Sequence, residues 1–478
     1  MKRKFITNLL LLLFLNVLIK PFWIFGFDRT VQNIVGNENF GLYSSLLSFS
    51  VILNILLDLG ITNFNNKNIA QHHHLLKKHI SNIVGLKFVL AGLYAVICIA
   101  IALIIGWKEI QIHLLLFLIL NQFLISFTMY LRSNISGLHL FTTDSLLSVL
   151  DRTLMIIICS VLLFTNITRQ AFRIEWFVYT QTAAYLITSL ITFAVVLAHT
   201  GKIKFIFNTR FFLVFLKKSY PYALLVLLMQ FYNRIDSVML ERLLPNGKEE
   251  AGIYYQAFRL LDAVSMFGVL FAGLLLPIFA RMIKKKQEIG SMVQISFLLL
   301  FVPSIVICVS SGFYNHEIMS LLYHNSADIS ASIFRILMVS FLGVATTYIF
   351  GTLLTANGSI RQLNWMAFCG MLLNIGLNFL LIPKMQAIGS AWASLVTQLI
   401  TALAQTLLAV MILRLTVNYL ILARLFAFTA FVFLAGMLSK ELETWYIGYF
   451  IMIVSSMIFA LLIKLINLKA LVDIIRND

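Results

Sequence analysis

The sequence predicts an all-helical, polytopic membrane protein, and three observations carry that prediction. Of its 478 residues 60% are hydrophobic and only 12% charged, with a mean hydropathy of +0.94. A soluble domain of this length could not hide so much apolar surface. The apolar runs are about 20 residues or longer, enough for a helix to cross a bilayer. They also lack the strict alternation that barrel strands require. Backbone amides in hydrocarbon must be paired within their own segment, which leaves helices as the spanning elements.

Taken in order, the runs define fourteen spans, at 5–26, 41–63, 81–106, 111–131, 145–165, 175–199, 219–243, 251–280, 292–313, 331–355, 363–383, 387–413, 418–438 and 444–464. The N-terminal MKRKFITNLLLLLFLNVLIKP has the charge and apolar run of a signal peptide, but no small-residue cleavage site follows. It reads as an uncleaved first span. The break between spans 11 and 12 rests on Pro383 and the short IPKMQAIG turn. With the N-terminus placed in the cytoplasm, the inner connections and termini hold 22 Lys/Arg and the outer connections eight. Both termini are therefore expected to be cytoplasmic. The net charge of +17 is mainly this topology signal beside anionic lipid, with no nucleic-acid partner expected. No connection is long enough to fold alone. Cys98, Cys159, Cys308 and Cys369 lie far apart within apolar runs and read as small core residues.

The most informative stretch runs from Ser219 to Lys286, two apolar segments joined by a short charged turn. Each segment carries an Arg and an Asp, although a charge at mid-membrane costs about 2.5–3.5 kcal/mol on insertion scales. At about 100° per residue, Gln230, Arg234, Ser237 and Glu241 share one face, and Tyr255, Arg259 and Asp262 another. Asp236 points elsewhere, and Glu241 lies two turns nearer the water. An i,i+3 ion pair of Arg259 with Asp262 is the plain alternative to a functional role for those two. At 1.5 Å per residue, Arg234 lies roughly 22 Å from the inner start of its span and Arg259 roughly 12 Å from the outer start of its own. Lys20 stands beside Pro21, which can kink the first span. Lys87 and Arg335 are nearer span ends and are expected to snorkel.

A short internal repeat links FGLYSSLL at 40–47 with AGIYYQAF at 251–258, Gly-x-Tyr opening spans 2 and 8. A parallel six-plus-six repeat is a transporter signature. The runs NRIDSVML, GIYYQAFRL and LLPIFARM, with GNENFGLYSSLLSFSVILNILLDLGITNFNNKNIA at 36–70 and LNFLLIPKMQAIGSAWASLVTQ at 377–398, resemble the polysaccharide-transport (O-antigen and capsule flippase, Wzx-type) family of the multidrug/oligosaccharidyl-lipid/polysaccharide exporter superfamily. The resemblance spans residues 36–398. It implies two six-helix lobes in a V, here 1–200 and 219–415. A basic cytoplasmic linker at 201–218 would join them, and 416–478 would add two helices and a short tail. It also implies alternating access in a bacterial cytoplasmic membrane. The implied cargo is an undecaprenyl-pyrophosphate-linked oligosaccharide, with polymerase and chain-length machinery as downstream partners.

Such a cargo needs a wet path for its head and an opening for its tail. A pyrophosphate is met by cationic side chains, Arg through a planar fork and Lys through a compact charge. Arg234, Arg259 and Lys20 are the expected members of a cationic cavity. The buried acids Asp58, Asp151, Asp236 and Asp262, with Arg152 beside Asp151, are the candidates for gating or for coupling to protons or sodium. Asp58 lies near the inner end of its span, within reach of water. His72-His73-His74 with His79 cannot share one helical face, so no metal site is expected. No P-loop, HExxH or nucleophile elbow occurs, and no cofactor or catalytic residue is expected. The rival readings are a cation-coupled multidrug antiporter on the same scaffold and a membrane glycan polymerase or ligase. The absence of a sizeable outer loop argues against the second.

Overall fold

The computed structural model describes residues 15–16, 18–62, 65, 69, 76–138, 140–165, 172–200, 209–416 and 418–465. The start of the first span, the His72–His74 run, much of the 201–218 linker and the C-terminal tail lie outside the described residues. Among those described there is no strand. Thirteen α-helices follow one another: α1 (Arg29–Ile52), α2 (Leu76–Ile105), α3 (Glu109–Gly137), α4 (Phe141–Phe164), α5 (Ile174–Thr200), α6 (Thr209–Leu243), α7 (Gly247–Lys284), α8 (Gly290–Phe313), α9 (Asn315–Leu322), α10 (Ala327–Ala356), α11 (Ile360–Leu413), α12 (Tyr419–Lys440) and α13 (Trp445–Leu462). Among the described residues, eleven helices are long and apolar enough to cross a membrane. The 54-residue α11 is two helices joined at Gln386, whose φ of 53° and ψ of −133° break the helical course three residues after Pro383. That is where the IPKMQAIG turn was expected.

The first two spans differ from their expected form. The 27–40 connection is not an open loop. A π-helical turn, Trp23–Asp28, follows Pro21 and runs directly into α1, as a proline that removes one backbone donor can enforce. The helix course breaks instead at Gly36, at φ 81° and ψ 166°. A second break replaces the expected unbroken helix to residue 63. After Ile52 come the 3-10 turn Asn54–Leu57 and then Leu59 and Gly60 at φ 45° and 85°. The short helix α9, in the 314–330 connection, was not foreseen either.

The described chain forms two compact units, Met1–Gly252 and Ile253–Asp478. In the first, α1 packs on α3 and α6, and α5 packs on α3 and α4. Its core gathers Ile83, Leu90, Phe127, Tyr130 and Leu131. In the second, α10 packs on α11, α8 and α9, and α12 pairs with α13 against α8. Phe428, Val432 and Met452 are buried there beside Tyr314. Asn418 caps α12 by accepting from the amides of Leu420 and Ile421. Of the four cysteines, Cys98, Cys159 and Cys308 are buried as expected, whereas Cys369 is exposed. Exposed on α11, it has no core role.

The sequence repeat has physical content. Tyr43 accepts a hydrogen bond of 2.8 Å from Gln181 on α5, the sixth span. Its counterpart Tyr254 lies 3.5 Å from the Ser394 hydroxyl, on the part of α11 after the break, the twelfth. Within the first unit the two repeat glycines also meet. A Cβ at Gly41 would lie 1.8 Å from the Lys248 carbonyl oxygen, and one at Gly252 would lie 2.1 Å from that of Asn37. Gln32 donates to the Gly252 carbonyl at 2.9 Å. Only residues without a side chain allow two helix backbones to pass so closely.

Two predictions follow from these contacts. Gly41→Ala should lower the thermal stability of the purified protein by about 1–3 kcal/mol of overpacking strain. Gly92→Ala, with nothing within 4 Å of the added methyl, should be neutral or slightly stabilising. The second concerns α9, where Glu317 pairs with Lys440, whose ammonium lies 4.7 Å over the Tyr314 ring. Burial opposes ionisation of Glu317, but the Lys440 hydrogen bond, a backbone hydrogen bond and nearby positive charge outweigh it and hold the carboxyl below its ordinary 4.5. A lowered folded-state pKa stabilises above the unfolded value and is lost as pH falls through the folded one. Glu317→Gln should therefore cost about 0.2–1 kcal/mol at neutral pH, given partial exposure. Unfolding midpoints of variant and wild type should converge as the pH drops below 4.5.

Candidate functional site

In the first unit the structure assembles a charged cluster around Lys20. Lys20 is half-buried and within electrostatic reach of Arg152, Asp151 and Arg132. Arg152 is held by aromatic faces, its guanidinium 5.9 Å from the Trp23 ring and 5.7 Å from the Tyr185 ring. Its Nη1 also meets the Met155 sulfur at 3.3 Å. Asp151 lies 3.8 Å from Arg152 Nε and accepts from its backbone amide at 2.8 Å. Arg132 is paired to Asp144 at 2.7 Å. Trp23 belongs to the π-helical turn after Pro21 and stacks on Phe177 of α5 with ring planes 1° apart. The local break beside Pro21 thus supplies a flat surface on which a guanidinium sits by cation–π attraction. Among the described residues, Lys20, Arg152 and Arg132 thus lie near the carboxylates of Asp151 and Asp144.

The remaining candidates are placed as follows. Arg234 is half-buried on α6 in the first unit, and Asp236 on the same helix is 1% exposed. Arg259 and Asp262 lie in the second unit, 4.0 Å apart at i,i+3, the spacing of the plain ion-pair alternative. Asp58 is paired to Lys87 at 2.6 Å. Lys87 is 1% exposed, so the snorkelling expected of it does not occur. Its α2 stem is enclosed by core residues, and the ammonium points inward to oxygens at the break in the second span. Tyr130 is also drawn in, its ring 5.8 Å from the ammonium.

Glu241, near the end of α6, is buried, 7% exposed. Its carboxylate accepts from Trp107 Nε1 at 3.1 Å and Gln111 Nε2 at 2.9 Å, while the adjacent Arg242 donates to the Ile105 carbonyl at 2.7 Å. The end of α6 is thereby fastened to the turn between α2 and α3. In the second unit, an apolar cavity of about 670 Å³ opens among α8, α10, α11 and α12. Phe297, Phe301, Phe350, Leu403 and Leu422 line it, and Glu288 is the charged residue of the lining.

An all-helical fold of many apolar helices, with guanidinium and ammonium groups among them, defines a polytopic membrane protein. The family model described as polysaccharide biosynthesis protein matches residues 8–283, more than half of the chain, and the chain belongs to that family. No curated protein sequence matches it. Its fold is that of the MOP superfamily. An inward closed structure of the lipid II flippase MurJ aligns with a TM-score of 0.64 at 16% identity, over 93% of this chain and 98% of that one. An inward-facing multidrug resistance MATE transporter aligns with a TM-score of 0.63 at 13% identity, over 81% and 94%. A MOP transporter from Pyrococcus furiosus, described as having a binding pocket of reversed polarity, gives 0.59 at 14%, over 85% and 93%.

Glu241→Ala should strand the Trp107 N–H and the Gln111 amide in a buried place and cost about 1–3 kcal/mol. A lower unfolding midpoint, with a change in Trp107 fluorescence that Trp107→Phe removes, is the expected result.

Proposed function

We propose that the protein is a flippase that carries an undecaprenyl-pyrophosphate-linked oligosaccharide, an O-antigen or capsule repeat unit, across the bacterial cytoplasmic membrane. The observation that carries this reading is the group of Lys20 and Arg152, with Arg132 at a span end, in a chain from a polysaccharide biosynthesis family. A pyrophosphate is the kind of group such a cluster would attract away from water. Arg234 and Arg259 are further pyrophosphate ligands in this proposal, and the apolar cavity of the second unit suits an isoprenoid chain. The likeness to a lipid II flippase supports a lipid-linked cargo.

In this reading the segments 1–200 and 219–415 are the two lobes that rock in alternating access, both termini are cytoplasmic, and 416–478 is accessory. The protein passes its cargo on to polymerase and chain-length machinery and is not itself an enzyme. Asp236, Asp262 and Asp151 are the candidates for gating or for coupling to a proton or sodium gradient.

The test is lipid analysis of a strain lacking the gene, complemented with wild type or with Arg234→Ala. Undecaprenyl-pyrophosphate oligosaccharide should build up on the inner leaflet and be relieved by wild type. Arg234→Ala, present in the membrane at wild-type level, should fail to relieve it. Normal export by that variant removes Arg234 from the site. No build-up, in a strain that makes the glycan and has no substitute carrier, redirects the assignment to cation-coupled drug efflux.

A further inference from the structure

The break in the second span creates a polar site of a definite kind. α1 ends at Ile52, one 3-10 turn follows, and Leu59 and Gly60 take positive φ. Backbone pairing runs on around the turn, the Leu59 amide donating to the Ile55 carbonyl and the Ile61 amide to the Asp58 carbonyl, each at 2.8 Å. The Leu57 carbonyl instead receives side chains, Lys87 Nζ at 2.9 Å and the Ser126 hydroxyl at 3.3 Å. Lys87 Nζ also donates to Asp58 Oδ1 at 2.6 Å and to Ser126 Oγ at 3.1 Å. Asp58 is also held by Thr62, whose hydroxyl donates to the same Oδ1 and whose amide lies 3.3 Å from Oδ1 and 3.4 Å from Oδ2.

One carboxylate, one carbonyl freed by an interrupted helix and one hydroxyl therefore converge on a single positive centre. An ammonium has three donors and no acceptor, and here each of three oxygens takes one. The same hard-oxygen set at a discontinuous transmembrane helix is what coordinates small cations in transporters. The four-carbon stem that delivers the charge starts on α2, between Val84 and Leu90 of the apolar core. Nothing but the terminal nitrogen of Lys87 is polar, so the side chain places a compact charge in the site.

We propose that the Lys87 ammonium is a tethered cation, permanently filling a monovalent-cation site formed by Asp58, the Leu57 carbonyl and Ser126. The second span can then stay interrupted without drawing an ion from solution, and Asp58 serves as a fixed counter-charge. This inference is independent of the cargo. It removes Asp58 from the groups free to exchange a coupling ion, and it explains why a lysine is buried beside a helix break.

The test compares the purified full-length protein with Lys87→Ala and with the double variant Asp58→Asn/Lys87→Ala. Thermal unfolding is followed at constant ionic strength as N-methylglucamine is exchanged for sodium, potassium or ethylammonium. Wild type should not distinguish the cations. Lys87→Ala should unfold at a lower temperature in N-methylglucamine and gain roughly 3 °C or more when a small cation enters the vacated site. The double variant, without its carboxylate, should lose that response. The proposal is overturned if Lys87→Ala is indifferent to cation identity or matches wild type in N-methylglucamine. A double variant that responds like the single one also overturns it, as does absence of Lys87→Ala from the membranes of potassium-replete cells.

Discussion

A carbonyl without a donor in hydrocarbon costs several kcal/mol, and the arrangement of the first unit depends on how that cost is met at the break after Ile52. A charged donor from α2 and a hydroxyl from α3 converge on Leu57 and Asp58. The three elements around the break are thereby joined by polar contacts whose loss would leave both a buried charge and a bare carbonyl. Tyr130 and Phe127 belong to the core beside the same place, the Tyr130 ring 5.8 Å from the Lys87 ammonium. Low dielectric strengthens each of these bonds and raises the penalty for losing one.

The same logic recurs at the other charges inside the spans. Arg152 is satisfied by two ring faces, a thioether and the neighbouring Asp151. Glu241 is satisfied by an indole and an amide. Each arrangement ties distant parts of the chain together, so charges that would burden an isolated helix become fastenings between helices. The difference between a fastening and a ligand site is whether cationic charge is left over. In the proposed site, Arg132 and Arg152 each have a carboxylate nearby, and Lys20 adds a further positive charge.

The repeat shows how sequence symmetry becomes geometry. Gly-x-Tyr opens both the second and the eighth span, and each tyrosine reaches the sixth span of its own repeat. The glycines serve the other need, a crossing in which backbone passes backbone. A glycine spaced two residues before a tyrosine carries little information by itself. Placed at equivalent points six spans apart, it marks a close approach and a polar anchor.

The all-helical fold and the break near Pro383 were legible in the sequence, because hydropathy and proline act locally along the chain. The i,i+3 partnership of Arg259 and Asp262 was legible for the same reason, since helical period alone brings the two together. The fate of Lys87 was not. Its distance from a span end suggested snorkelling, but its partner lies 29 residues away on a segment whose helix is interrupted. The partners of Glu241, 130 and 134 residues distant, were equally hidden. Helical period says which residues share a face of one helix. Only packing sets the rotation and depth of that helix against its neighbours, and so decides which oxygen, ring or carboxylate each buried charge will meet.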